Sequence, residues 1–152
     1  MKVLEIKLLG PSDASTLRLL AQEDAAFGLE ARAEPAPALS PADAEGYLRD
    51  PHVLHWVAVD GGRIAGHLLC YRQLRRIGAR EQLLLYEIGV RASRRRQGVG
   101  RALCATMADW MRDHGVAKAW VLADNPGAQA FYQAMGFSVD EPSPVQMTLH
   151  LA

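Results

Sequence analysis

The residues most suited to chemistry are a lone carboxylate in an apolar strand and the basic, glycine-containing loop that follows it. Leu83 to Val90 is an apolar run of strand composition in which Glu87 is the one charged side chain. Apolar surroundings disfavour an ionised carboxylate and raise its pKa, which suits a general base. A structural carboxylate accepting a neighbour's hydrogen bond is the alternative. The strand breaks into a loop, Arg91 to Arg101, that carries Arg94, Arg95, Arg96 and the pair Gly98 and Gly100, and a helix opens at about Ala102. Strand, basic loop and helix N-terminus together suit a pyrophosphate. Backbone N–H groups at a helix start point outward, the helix dipole favours an anion, and glycine lets the anion touch main chain. A solvated basic loop leading into an ordinary helix is the plainer possibility.

Two familiar phosphate loops are excluded or weakened. A P-loop needs Gly-x-x-x-x-Gly-Lys-Ser/Thr, and no lysine follows Gly100. A dinucleotide fingerprint needs a third glycine, and position 103 is Leu103.

The elements that must hold these residues can be read in order. Val3 to Leu9 is a first strand, ended by Gly10 and Pro11. Residues 12–26 carry Ala14, Leu17, Leu20 and Ala25 at helical spacing. Leu29 to Leu39 reads as a loop. Ser40, Pro41 and Asp43 form a capping-box start for a short helix to about Arg49. Val53 to Val59 and Arg63 to Tyr71 flank the turn Asp60-Gly61-Gly62 as a hairpin. After the strand of Glu87, residues Val99, Leu103, Met107 and Trp110 give a helix a core-facing stripe, closed by Gly115. Ala119 to Ala123 is a strand, Gly127 to Met135 a helix, and Phe137 to Val139 and Val145 to Leu151 are last strands. The expected fold is α+β, one domain over 1–152. Tyr86, next to Glu87, is expected on the opposite side of the sheet.

Composition narrows the class. The chain has 152 residues, enough for one core, and its 49% apolar and 22% charged content is that of a globular domain. No apolar run approaches the roughly 20 residues of a membrane helix, and the N-terminus lacks the apolar core of a signal peptide. Cys70 and Cys104 form no metal or disulfide pattern and read as buried thiols in a reducing, cytoplasmic setting. His52, His55, His67, His114 and His150 have no metal-ligand spacing and read as surface or core, and no metal is expected. Net charge is zero but uneven: Glu23 to Asp50 holds seven acidic residues against two arginines, and Arg63 to Arg101 ten arginines against Glu81 and Glu87. That division suits an anionic cofactor and a cationic substrate, or simply two solvated faces. The arginines are not interleaved with aromatics, which disfavours nucleic acid.

Arg95-Arg96-Gln97-Gly98-Val99-Gly100 resembles the Arg/Gln-x-x-Gly-x-Gly/Ala signature of the GCN5-related N-acetyltransferases (GNAT). Asn125 through Ala128, Tyr132 and Gly136-Phe137 is similar to that family's second motif. The resemblance covers essentially the whole chain. It implies an α/β/α sandwich with a mixed, mostly antiparallel sheet of about seven strands and four helices, acetyl-CoA as cofactor, and direct acetyl transfer to an amine. On it, Glu87 is the base and Tyr132 the proton donor to the leaving thiolate. Ile88, Gly89 and Val90 contact the acetyl and pantetheine arm. Arg95, Arg96, Gln97, Gly98, Val99, Gly100 and Arg101 cradle the pyrophosphate, and Asn125, Ala128 and Phe131 complete the cofactor site.

A closer similarity, over residues 20–28, 43–48, 85–90 and 94–98, is to the aminoglycoside 3-N-acetyltransferases of this fold, where the residue matching Glu87 is an aspartate. It implies an aminoglycoside substrate, antibiotic resistance and a homodimer. Glu30, Glu34, Asp43 and Asp124 are then candidates, with Glu87, to bind the substrate's ammonium groups. The basic stretch Arg72 to Arg80 departs from what a polycation pocket favours. Acetylation of a protein N-terminus, a polyamine or another small amine remains open, as does a non-catalytic acyl-CoA-binding regulatory module.

Overall fold

Gly61 and Gly62, both at positive φ (58° and 79°), make the turn between β2 (Val53–Asp60) and β3 (Arg63–Leu74), an antiparallel hairpin rich in apolar and β-branched residues. The computed structural model describes residues 3–27, 37–78 and 80–152, which form two compact units, Met1–Val121 and Leu122–Ala152. In the first unit β1 (Glu5–Leu8) pairs antiparallel with β2, and β4 (Glu81–Val90) pairs antiparallel with β3. The two-residue β5 (Ala119–Trp120) runs parallel to β4, so the sheet order is β1-β2-β3-β4-β5.

Side-chain alternation divides this sheet into two apolar faces. On one, Val57 and Ile64 pack in a core with Leu17 and Leu20 of α1 (Ala14–Gln22) and Ala44 and Leu48 of α2 (Pro41–Arg49). On the other, α3 (Val99–His114) covers β2 and β3. The Cys70 thiol donates to Met107 Sδ at 3.5 Å, and Trp56 meets Trp110 edge-on. Gly66 lets α3 approach, because a Cβ there would lie 2.9 Å from Val99 Cγ1. Helices on both faces of a mostly antiparallel sheet give the expected α+β sandwich.

α2 starts where its cap predicts. Ser40 Oγ accepts the Asp43 N–H at the start of α2, with Pro41 in the first turn. In the second unit, α4 (Pro126–Ala134) has Asn125 as N-cap, its Oδ1 accepting the Ala128 N–H at 2.8 Å. Among the described residues there are four α-helices, as expected.

The sheet has five strands among the described residues, not seven. Ala119 to Ala123 contributes only β5, and neither Phe137 to Val139 nor Val145 to Leu151 is a strand. Val145, Met147, Leu149 and Leu151 are each more than four-fifths exposed. Their alternation specifies a face to bury, but a strand also needs a ladder partner for its backbone, and none is paired with this segment among the described residues.

Candidate active site

Glu87 reaches its position through an irregularity in β4. Leu69 pairs with Glu87 and Cys70 with Leu85, so Tyr86 is an extra residue opposite β3. Without it, Glu87 would continue the phase of Leu83 and Leu85, both buried on the α3 side. The bulge instead brings Glu87 to the side of α1 and α2, where its Oε1 lies 3.8 Å from His67 Nε2. The expectation that Tyr86 faces away from Glu87 is corrected for the same reason. The Tyr86 ring meets Tyr71 at 5.2 Å, and Tyr71 also feels the Glu87 charge.

Behind Glu87 runs a line of polar groups, the half-buried Tyr47 and the buried His55 and His67. Tyr47 Oη is 3.1 Å from His55 Nδ1, and His55 Nε2 is 3.1 Å from His67 Nδ1. Tyr47 comes from α2, His55 from β2 and His67 from β3. Burial pushes His55 down to about 3, helped by neighbouring His67, and His67 down to about 4. Both rings are therefore neutral near pH 7. Burial, then Tyr71 and Glu87, drives the Tyr47 phenol well above its ordinary range. Phe27 packs edge-on against His67, and the Arg91 guanidinium lies over Phe27 at 4.9 Å. Gly89 makes room for this arrangement, since a Cβ there would stand 2.8 Å from His67 Nε2 and 3.1 Å from Phe27 Cβ.

The basic loop divides its arginines by task. Arg91 is buried, donating through Nε to Ile64 O at 2.7 Å and pairing with Glu23. Arg94 pairs with Asp60 at the hairpin turn. These two tie the loop down, while Arg95, Arg96 and Arg101 are exposed. Arg96 and Gly98 both take left-handed φ values, 61° and 83°, and no side chain caps the start of the 16-residue α3. Gln97 Nε2 bonds back to Ser93 O. Outward amides, exposed guanidinium groups and a dipole pointing the right way fit a pyrophosphate.

The other anticipated residues fall as follows. Ile88, Gly89 and Val90 end β4, and Val99 and Gly100 are buried in the first turn of α3. Asp43 is exposed and accepts the Ser40 hydroxyl proton at 2.7 Å. Asp124 accepts from Asn125 Nδ2, and Tyr132 is buried with Phe131 and Phe137 within 5.4 Å of its ring. Glu30 and Glu34 lie outside the described residues. Sequence reasoning missed Tyr47, His55 and His67. The available signal was a histidine in the apolar stretch of each strand of one hairpin, twelve residues apart across a central Gly-Gly turn. Among the described residues no group of three or more His, Cys, Asp or Glu is arranged to hold a metal, and no helix is long and apolar enough to cross a membrane.

This fold and loop have a family. The Acetyltransferase (GNAT) family model matches residues 18–137, and the chain belongs to that family, whose members use acetyl-CoA. It is 32% identical over 93 residues to rat N-acetyltransferase 8, covering 60% of this chain and 42% of that protein. It is 38% identical over 60 residues to the [ribosomal protein bS18]-alanine N-acetyltransferase of Escherichia coli K12, covering 38% and 40%. The chain thus spans about two fifths of the length of these curated relatives. Among solved structures, an aminoglycoside acetyltransferase from an uncultured soil metagenomic sample, in complex with sisomicin, superposes with a TM-score of 0.81 at 20% identity, over 98% of this chain and 97% of that one. At that identity the likeness is one of fold.

Proposed function

We propose that this protein is an acetyl-CoA-dependent N-acetyltransferase that acetylates an amine of an aminoglycoside, at the 3-amino group, and thereby confers resistance. The observation that carries the reading is Glu87. A bulge delivers this carboxylate to the inner side of a strand that leads, through the loop of residues 91–98, into an uncapped, arginine-flanked helix start. Acetyl-CoA supplies the thioester whose acetyl group is transferred. Exposed Arg95, Arg96 and Arg101, with the first amides of α3, hold its pyrophosphate.

A substrate amine is an ammonium near neutral pH and has no lone pair to attack with. Glu87 accepts one proton from it, leaving a nucleophilic nitrogen. The nitrogen–carbon bond forms as the carbon–sulfur bond breaks, and Tyr132 Oη, assigned by the family motif, gives a proton to the departing sulfur. As the amide forms, the nitrogen's second proton returns to the Tyr132 oxygen and the proton held by Glu87 passes to solvent, so that amine and thioester give amide, thiol and one released proton. Glu30, Glu34, Asp43 and Asp124 supply carboxylates for the substrate's other ammonium groups. The acidic composition of residues 23–50 and the fold shared with a sisomicin-binding enzyme support this substrate class. We infer further that it works in the cytoplasm as a homodimer.

Acetylation of a protein N-terminus is a second reading, favoured by the 38% identity to the bacterial ribosomal-protein enzyme. Release of CoA from acetyl-CoA, measured with gentamicin, sisomicin, kanamycin, spermidine and an alanyl peptide, separates them. Turnover of gentamicin-type compounds that is lost in Glu87→Gln is the expected result. Turnover of the peptide alone selects the second reading, and acetyl-CoA binding with no turnover of any amine argues for a regulatory module instead.

A further inference from the structure

Two histidines buried side by side in apolar strands are an expensive way to fill a core. Isolated imidazoles need partners for both nitrogens, and apolar side chains of similar size need none. Here the partners are one another, in a line that ends on an atom with no hydrogen-bond partner among the described residues, His67 Nε2, which points toward Glu87. We propose that Tyr47, His55 and His67 are a positioning string whose terminal N–H, on His67 Nε2, holds the Glu87 carboxylate oriented and ionised. The proposal rests on the reading of Glu87 as the base.

The direction of the string follows from counting protons. A neutral imidazole has one N–H and one lone pair. Each ring therefore donates once and accepts once, and only two patterns satisfy both 3.1 Å contacts. In one, Tyr47 O–H donates to His55 Nδ1, His55 Nε2–H donates to His67 Nδ1, and His67 Nε2–H faces Glu87. In the other every donor is reversed, and a lone pair faces Glu87. Next to an ionised carboxylate the first pattern is attractive and the second repulsive, so charge on Glu87 selects the first.

The 3.8 Å separation is beyond a hydrogen bond, and a movement of about 1 Å closes it. Contacts of catalytic carboxylates commonly tighten only when substrate is bound. The fit is guarded by Gly89, where any Cβ would collide with this same nitrogen. The groups facing Glu87 include His67 and Tyr71 from β3 and Tyr47 from α2. Those facing His67 are His55 from β2, Glu87 from β4, and Phe27 with Arg91 above it.

The first test is nitrogen NMR of 15N-histidine-labelled protein at pH 7.5, which needs no substrate. Both His55 and His67 should be in the Nε2–H form, and Glu87→Gln should weaken that preference. An Nδ1–H form of His67 in the wild type overturns the proposal. The second is the pH profile of kcat/KM for sisomicin with acetyl-CoA. His67→Phe should lower kcat about tenfold with KM little changed, and should move the acid limb upward by about one pH unit, because a carboxylate that loses a donor protonates more easily. His67→Gln, whose amide N–H can stand near the position of Nε2, should recover part of the loss. Tyr47→Phe, at the far end, should reproduce a smaller shift and serves if His67→Phe does not fold. Unchanged kcat and acid limb in folded His67→Phe and Tyr47→Phe, with Glu87→Gln inactive, sink the string and spare the base. Wild-type turnover in Glu87→Gln sinks the proposed function itself.

Discussion

At the start of α3 the molecule turns backbone amides and arginines outward, whereas behind Glu87 it hides two neutral imidazoles and a phenol. The first region is one continuous segment, residues 95–101, bound to the domain by Arg91 and Arg94. The second takes Tyr47, His55, His67 and Glu87 from four different elements. On the proposed function, the contrast follows from what each would have to do. A phosphate brings its own charge and is met by dipoles and cations that lose little by being wet. A base has to be tuned, and tuning demands low dielectric and fixed neighbours, which only tertiary packing provides.

The sharpest way to break this comparison is at Glu87, the proposed base. Glu87→Gln should lower kcat by roughly 100-fold or more while leaving acetyl-CoA affinity close to wild type, as initial rates and calorimetric titration would show. Loss of acetyl-CoA binding in that variant would mean that the two regions are not separate.

Acidification tests the buried side. His55 and His67 are neutral when folded, with pKa values of about 3 and 4 against an ordinary 6.5. The unfolded chain therefore binds more protons between these limits, and stability rises with pH there. It should be fully present above about pH 6.5 and lost as pH falls toward 4, by at most about 1.4 kcal/mol per pH unit for each ring. Urea melts at pH 7, 6 and 5 would measure it, and His67→Phe should show a shallower slope. A slope equal to wild type would place the acid sensitivity elsewhere.

Gly89→Ala probes the joint between the regions. A Cβ 2.8 Å from His67 Nε2 should destabilise the fold by about 2 kcal/mol, as overpacking does. Gly98→Ala has open space around it but a φ of 83°, so about 1 kcal/mol of backbone strain is expected, together with weaker CoA binding. Smallest of all, Arg95→Ala or Arg96→Ala should weaken CoA binding several-fold, an effect that fades as salt rises. A salt-independent loss would contradict the picture of an exposed electrostatic cradle.

The same contrast explains what could be read from the chain in advance. The build of the loop at 91–101 was legible because it is local: glycines, arginines and a helix start within a few residues. Hairpin, caps and core stripe were legible for the same reason. Glu87 stood out as a charge in an apolar run, but its side of the sheet did not, since strict alternation places it with Leu83 and Leu85. The histidines were passed over because it is the hairpin register that brings His55 and His67 together, and no metal-ligand spacing flags that pairing. The alternation of Val145 to Leu151 was plain, and misleading, because periodicity names a face without naming a ladder partner.

The extra residue in β4 has one more consequence. Strand parity here is an odd-or-even count, and Tyr86 is the residue that changes it between Leu85 and Glu87. Deleting Tyr86 would leave every reactive group of the strand in the protein yet turn the carboxylate toward α3, on the wrong side of the sheet from His67. Substitutions at this exposed tyrosine should be forgiven, whereas a single-codon deletion should not. The strand's length, as much as its chemistry, is under constraint.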